Sequence, residues 1–187
     1  MAIATRAGSR DAELSTPAYV VLGMVRLGAR SGYEIKQAVD QSIRFFWTIS
    51  QVQIYPSLAK LERAGLISGR SEPQGRRPRR VYEITKAGVT ALEGWVRRPG
   101  DMPFELRDIG LVKLFFADVL ETTDALELVQ AVRRRSEERV ELLRLIEPTA
   151  HDAEAVGDVY PLLTLRIGIR FHEAMIDVCH EFETRFR

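Results

Sequence analysis

Apolar residues recur at threes and fours along most of this chain, and the rhythm changes once, between Leu66 and Thr85. The helical spacing before that break divides into three segments. "STPAYVVLGMVRLGARSG" offers Thr16 as an N-cap and Pro17 at the first helical position, and its apolar run closes near Gly28, which predicts a buried helix. Ser31 is the next expected N-cap, with Tyr33, Ile35, Ala38, Val39 and Ser42 at helical intervals behind it. The cluster Phe45, Phe46, Trp47 ends that segment and is expected to pack under the domain. The third segment, "SQVQIYPSLAKLERAGL", has Ser50 as its cap, Leu58, Leu61 and Ala64 as its buried stripe and Gly65 as its stop. Pro56 lacks the N–H that would bond the Val52 carbonyl, so either the first turn bends or the helix starts nearer Tyr55. Both alternatives leave a polar leading end.

Within the break, "LISGR" and "RVYEIT" read as short strands, and "SEPQGRRPR" between them reads as a long arginine-bearing loop. Thr85 then caps a helix that ends at Pro99 and Gly100. The rest is expected to be helical: "FELRDIGLVKLFFADVL", then residues 122–148 with a stripe through Leu126, Val129, Val132, Val140, Leu143 and Ile146 that a charged middle interrupts. "HDAEAVGD" reads as a polar loop, and residues 159–186 as one long helix with an apolar face through Leu162, Leu165, Ile169, Met175, Ile176 and Cys179. The implied organisation is a loose tail over 1–13, a domain of helices and one hairpin over 14–99 and a helical domain over 100–187. The fold class is mainly α, an N-terminal winged helix-turn-helix with a two-stranded wing plus a C-terminal antiparallel helical dimerisation domain.

Charge sharpens this picture. The chain carries a net +1 over its 187 residues, but residues 1–99 hold 16 Lys and Arg against 8 Asp and Glu, a net of +8, and residues 100–187 hold 11 against 18, a net of −7. A basic half suits a polyanion, and an acidic, amphipathic half suits a different task. Cys179 is the sole cysteine, so an internal disulfide and a cysteine-rich zinc site are excluded and a reducing compartment fits. No apolar run reaches the ~18 residues of a membrane span, and the start lacks a signal-peptide apolar region, so no membrane association and a cytoplasmic location are expected.

Three helices followed by a hairpin is the order of a winged helix-turn-helix, whose third helix enters the major groove while the wing lies along phosphates. Leucines anchor the far end of that helix, which leaves its near end to read bases. Gln51, Gln53, Tyr55, Ser57 and Lys60 are the hydrogen-bonding groups there: glutamine suits the N6 and N7 edge of adenine, and tyrosine and serine suit phosphate. Ser50 at the cap, and Ser31, Tyr33 and Lys36 at the start of the preceding helix, complete the expected contact set on the helices. Arg76, Arg77, Arg79 and Arg80 in "GRRPRR" suit phosphate oxygens or a narrow minor groove. The alternative is a winged helix that docks protein and binds no DNA; four arginines at the wing argue for DNA.

"GARSGYEIKQAVDQSIRFFWTISQVQIYPSLAKLERAGLI" followed by "GRRPRRVYEITKAG" resembles the PadR family of bacterial transcriptional regulators, in which S-G-Y-E-I, an F-W pair, Q-I-Y-P-x-L-x-x-L-E-x-x-G-L and G-R-P-x-R-x-Y-x-L-T-x-x-G occur in this order. "LVKLFFADVL", "YPLLTLRIGI" and "AMIDVCHE" are similar to the C-terminal helical domain of its longer subfamily, so the resemblance covers about residues 14–183. The chain departs from the pattern at Val52, where Gly is common, and at Val178, where an aromatic is common. The resemblance implies a homodimer made by the C-terminal helices, bound to a pseudo-palindromic operator, usually repressing a neighbouring gene, and in some members released by a small aromatic or hydrophobic effector.

No catalytic residues, metal ligands or cofactors are expected, because G-x-S-x-G, phosphate-cradling and H-E-x-x-H motifs are all missing, and His172, Glu173 and His180 are badly spaced for a metal on one helix. Trp47, Trp95, Phe115, Phe116, Arg170, His172 and Met175 are candidates for an effector slot between the domains, with Arg170 or His172 to receive a carboxylate; the alternative is that they pack as core.

Overall fold

The structure is a computed structural model, and it describes residues 14–73, 79–98, 100, 102 and 104–185. The chain is mainly α-helical and divides into two compact units, residues 1–100 and 101–187.

The first unit is a winged helix: α1 (Thr16–Arg26), α2 (Gly32–Gln41), α3 (Gln51–Arg63), β1 (Ile67–Glu72), β2 (Arg79–Ile84) and α4 (Lys86–Arg97). Ser15, one residue before the expected Thr16, occupies the N-cap of α1, so Pro17 takes the second helical position. Gly28 adopts φ +99°, which lets the Ala29 N–H turn back onto the Met24 carbonyl at 3.0 Å and stop the helix. Leu22, Ile35, Val39, Ile54, Leu58, Leu61 and Ile67 close one core from all three helices and the first strand. The aromatic run is not part of it. Helix α2 ends at Gln41, so residues 42–46 leave the helical rhythm; Ile43 and Ile49 turn to the core, whereas Phe45 and Trp47 are half-buried and Phe46 is exposed.

Helix α3 begins at Gln51 and runs through Pro56. The Gln53 side-chain oxygen accepts from the Ser50 N–H at 3.0 Å and the Ser50 hydroxyl at 3.1 Å, which fixes the first turn upstream of the proline. Its buried side is Ile54, Ser57, Leu58 and Leu61, while Ala64, expected in the stripe, is the exposed C-cap. Gly65, at φ +69°, supplies the left-handed stop.

The strands are longer than their apolar cores suggest. The antiparallel register runs from Ile67 opposite Ile84 to Glu72 opposite Arg79, so the connection shrinks from 71–79 to 73–78. Arg79 and Arg80 are therefore strand residues, whereas Arg76 and Arg77 lie outside the described residues. The Tyr82 N–H donates to the Arg30 carbonyl at 2.7 Å, which ties β2 to the turn between α1 and α2. Thr85 caps α4 by accepting from the Gly88 N–H at 3.0 Å, and its hydroxyl reaches the Gly65 carbonyl at 2.8 Å. A Cβ on Gly88 would overlap the Leu66 carbonyl oxygen, so this crossing of α4 over the α3–β1 turn requires glycine. Trp95 of α4 stacks on Tyr19 with ring centroids 4.8 Å apart.

The second unit holds α5 (Ile109–Phe115), a 3-10 turn (Ala117–Val119), α6 (Thr122–Ala155) and α7 (Tyr160–Arg185). The helix expected over 104–120 is shorter because Asp108 caps α5, accepting from the N–H groups of Gly110 (2.7 Å) and Leu111 (3.2 Å). The loop expected at 151–158 is helical as far as Ala155, and α6 passes through Pro148. At 34 residues α6 is about 51 Å long. Arg133 pairs with Glu183 at 2.8 Å and Arg144 with Glu173 at 3.1 Å, so α6 and α7 run antiparallel. Ser136, fully buried in the charged middle of α6, keeps the buried stripe continuous between Val132 and Val140.

Candidate nucleic-acid interface

Three elements of the first unit converge on one surface: the start of α2, the leading end of α3 and strand β2. Leu58 and Leu61 anchor the far half of α3, while Gln51, Val52, Gln53 and Tyr55 are exposed at its near end. Gly32 makes the junction between the helices close, because a Cβ there would sit 2.8 Å from the Tyr55 ring. Ser31, Tyr33, Tyr55, Arg79, Arg80 and Tyr82 surround a shallow depression of about 350 Å³ beside that ring.

The cations on this surface already have partners. Arg79 donates to Ser31 Oγ at 2.9 Å and pairs with Glu34, whose other oxygen accepts from the Arg30 N–H at 2.6 Å. These bonds from Arg79 and the Arg30 backbone hold the Glu34 carboxyl below its ordinary pKa, so it is ionised at neutral pH. Arg80 pairs with Glu62 of α3 and lies 5.9 Å from the Tyr82 ring centroid. Beneath them Arg30 meets Glu72 at 2.6 Å, and Arg70 meets Glu72 and Glu83, each at 2.9 Å. Hydrogen bonds from Arg70 and then Arg30 hold the Glu72 carboxyl low as well.

This placement separates the sequence-predicted residues. Gln51, Tyr55 and Tyr33 are exposed. Ser50 and Gln53 are exposed but bonded to each other, and Lys36 is ion-paired with Asp40 one turn on. Lys60 is half-buried. Ser31 and Ser57 turn inward: Ser31 is buried as a cap and Ser57 is buried with its hydroxyl donating to the Gln53 carbonyl at 2.7 Å. Sequence reasoning missed Val52, which is 82% exposed beside Gln51 and suits a thymine methyl. An apolar residue on the solvent side of a helical wheel was the available signal. It also missed Glu34 and Glu62, whose partners are 45 and 18 residues away.

The effector candidates fall in both units. In the first unit, Trp95 packs on the core through Tyr19, and the indole N–H of Trp47 is buried with no acceptor among the described residues. In the second, Phe115 and Phe116 contact edge to face and border an open apolar groove of about 480 Å³ with Leu106, Leu111 and Val112. Arg170, His172 and Met175 do not line it. Arg170 is exposed and bonded to Glu173 at 2.9 Å, and Met175 packs on Val129, Val132 and Cys179. Burial, then Arg139 and Arg135, push the His172 pKa down, so the imidazole is neutral at neutral pH, and its Nδ1 is buried without a partner. Asp108 is nearby: burial pushes its carboxyl up, but the Arg135 guanidinium, at 2.8 and 2.7 Å, holds it below the ordinary range. Among the described residues no cluster of His, Cys, Asp and Glu could hold a metal ion, and no helix is long and apolar enough to cross a membrane.

Comparison with known proteins shows the family. Residues 21–94 match the transcriptional regulator PadR-like family, and residues 106–187 match the family described as virulence activator alpha C-term. The probable transcriptional regulator Rv1176c of Mycobacterium tuberculosis (strain ATCC 25618 / H37Rv) is 30% identical over 170 residues, covering 80% of this chain and 86% of the relative. The negative transcriptional regulator PadR of Bacillus subtilis (strain 168) is 32% identical over 111 residues, 59% of this chain, and the match spans 61% of that relative's length. Its crystal structure in complex with operator DNA superposes with a TM-score of 0.78 at 23% identity, covering 92% of this chain and 100% of that one. Its complex with p-coumaric acid gives 0.73 at 23% identity, covering 90% and 97%. At that identity the two structures speak for the fold; the extent of the Mycobacterium match, with the two family matches in order along the chain, decides membership. The chain belongs to the PadR-like family of transcriptional regulators, a family of regulators and not of enzymes.

Proposed function

We propose that the protein is a cytoplasmic, sequence-specific DNA-binding repressor that acts as a homodimer on a pseudo-palindromic operator. The observation that carries this reading is α3: leucines hold its far end, and its near end exposes Gln51, Val52 and Tyr55 beside the wing. That arrangement delivers a short row of base-reading groups to the floor of a major groove while the body stays at the backbone. Arg76 and Arg77 of the wing connection are the proposed phosphate cations, and the exposed Tyr33 is a further proposed donor to the DNA backbone. The operator complex of the Bacillus subtilis relative supports the same use of the fold.

Dimerisation is proposed on α7. Besides its buried face toward α6, this helix carries a second apolar row, Tyr160, Leu163, Ile167, Phe171, Val178 and Phe182, all exposed in the single chain. A second copy covering that row would bury it, and a dimer offers two α3 helices to two operator half-sites one turn of DNA, about 34 Å, apart. A small apolar or aromatic effector is proposed at the groove beside Phe115 and Phe116, supported by the p-coumaric acid complex of the same relative. It acts by binding the DNA-incompetent arrangement more tightly than the competent one.

The test is a titration of the protein against labelled DNA from upstream of its own gene and against a scrambled duplex, at two salt concentrations. The expected result is preferential, salt-sensitive binding at two protomers per site. Equal and negligible binding to both duplexes would replace this reading with a protein-docking winged helix.

A further inference from the structure

The base of the wing has an unexpected charge balance. Its described cations, Arg30, Arg70, Arg79 and Arg80, are matched by Glu34, Glu62, Glu72 and Glu83 in direct ion pairs. An element meant to attract phosphates carries no net charge where it joins the body.

The pairs divide by strand face. Glu72 and Glu83 lie on the strands themselves, so their bonds with Arg70 travel with the wing. Glu34 and Glu62 do not. Glu34 stands in the first turn of α2 and holds Arg79; Glu62 stands near the end of α3 and holds Arg80. Arg79 and Arg80 are consecutive on β2, so their side chains leave opposite faces of the hairpin. One carboxylate therefore grips the wing from each side, and the two helices they come from are those proposed to meet DNA. Gly69, opposite Tyr82 in the register, opens the second grip: a Cβ there would meet Glu62 Oε1 at 2.5 Å and Arg80 Nε at 3.1 Å.

We infer that Glu34 and Glu62 are positioning residues that act as built-in counter-ions, clamping the wing between α2 and α3 and withholding Arg79 and Arg80 from DNA phosphates. This rests on the DNA-binding reading above. A guanidinium satisfied by a protein carboxylate releases no counter-ion from DNA when the complex forms, so it adds nothing to the salt-dependent, sequence-independent part of the affinity. The wing base then fixes an angle, and attraction is left to other cations. Restraining phosphate affinity in this way leaves discrimination to the base-reading end of α3.

Glu34→Gln and Glu62→Gln test this, because glutamine keeps the side-chain shape and one acceptor oxygen while removing the charge; at position 34 one of the two acceptors, for Arg79 or for the Arg30 N–H, is lost as well. Each variant is expected to bind scrambled duplex about eightfold more tightly at 0.1 M salt, and to steepen the slope of log affinity against log salt by about 0.9, one additional phosphate cation. The double variant Glu62→Gln with Arg80→Gln loses one charge of each sign and is expected to return to the wild-type slope. Thermal melts on all three variants separate a loss of folding from a change in binding. Weaker binding of the single variants with an unchanged or shallower slope would overturn the inference and leave the carboxylates as structural only. So would a double variant shallower than wild type by about 0.9, since Arg80 would then be meeting a phosphate in the native complex. If wild type itself fails to prefer its upstream DNA, the functional reading fails first, and the two failures are distinct.

Discussion

A chain carrying Leu163→Asp together with Ile167→Asp is expected to be a folded monomer whose operator affinity has dropped by at least about a hundredfold, because tying two reading heads together strengthens binding by roughly 10²–10⁴ without a new contact. The two residues sit one helical turn apart on α7 and are 54% and 61% exposed. The face that holds α7 to α6 uses Leu162, Leu165, Ile169 and Cys179, so aspartates at 163 and 167 leave that packing untouched. Burying a leucine or isoleucine contributes about 1.5–3 kcal/mol, and each appears twice in a symmetric interface, so two buried carboxylates per chain are enough to prevent association. Light scattering on the eluting protein reads the mass, circular dichroism confirms the helix content, and a DNA titration reads the affinity. A variant that stays dimeric would move the interface off this face of α7.

The second large effect is expected at the tip of α3. Gln51→Ala with Val52→Ala should narrow the difference in affinity between operator and scrambled DNA by at least about 30-fold, two lost base contacts at roughly 1–3 kcal/mol each, while the salt slope stays as in wild type. Both residues are exposed, and neither contributes a side chain to the core, so the loss should appear in recognition and not in melting temperature. Gln53→Ala is a poorer probe of the same idea. Its side-chain oxygen holds the Ser50 N–H, and removing such a terminal bond destabilises the helix by about 0.5–2 kcal/mol before any base is considered. An unchanged operator preference in the Gln51 and Val52 variant, with normal folding, would put the reading residues elsewhere on the unit.

Local signals carried most of the first unit. Ser31, Gly28, Gly65 and Thr85 act within four residues of themselves, as cap acceptors or left-handed stops, and each does what its type and place suggest. The readings that failed depend on partners far along the chain. Arg79 reads as part of a loop because Pro73, Gly75 and Pro78 bar regular structure around it, yet pairing opposite Glu72 and bonding Glu34 draw it into a strand. Asp108 shortens α5 because Arg135, 27 residues on, holds its carboxylate at the cap. Residues 151–155 are polar enough for a loop, but Ala150 is buried and α6 continues past it by five more residues before Gly157, at φ +92°, stops the helix. Ser31 and Ser57 are expected DNA contacts, and the helices also use their hydroxyls internally. Val52 stands in the sequence only as a departure from the family's common Gly, and its exposure is what makes it a candidate contact.

The central claim is that the leading end of α3 meets DNA. Backbone hydrogen exchange on the protein alone and saturated with its upstream DNA measures this most directly. The account predicts slowed exchange over residues 50–60 and at the start of α2 when DNA is bound, with α6 exchanging as before. Slowing confined to α6 and α7, with residues 50–60 unaltered, would contradict it.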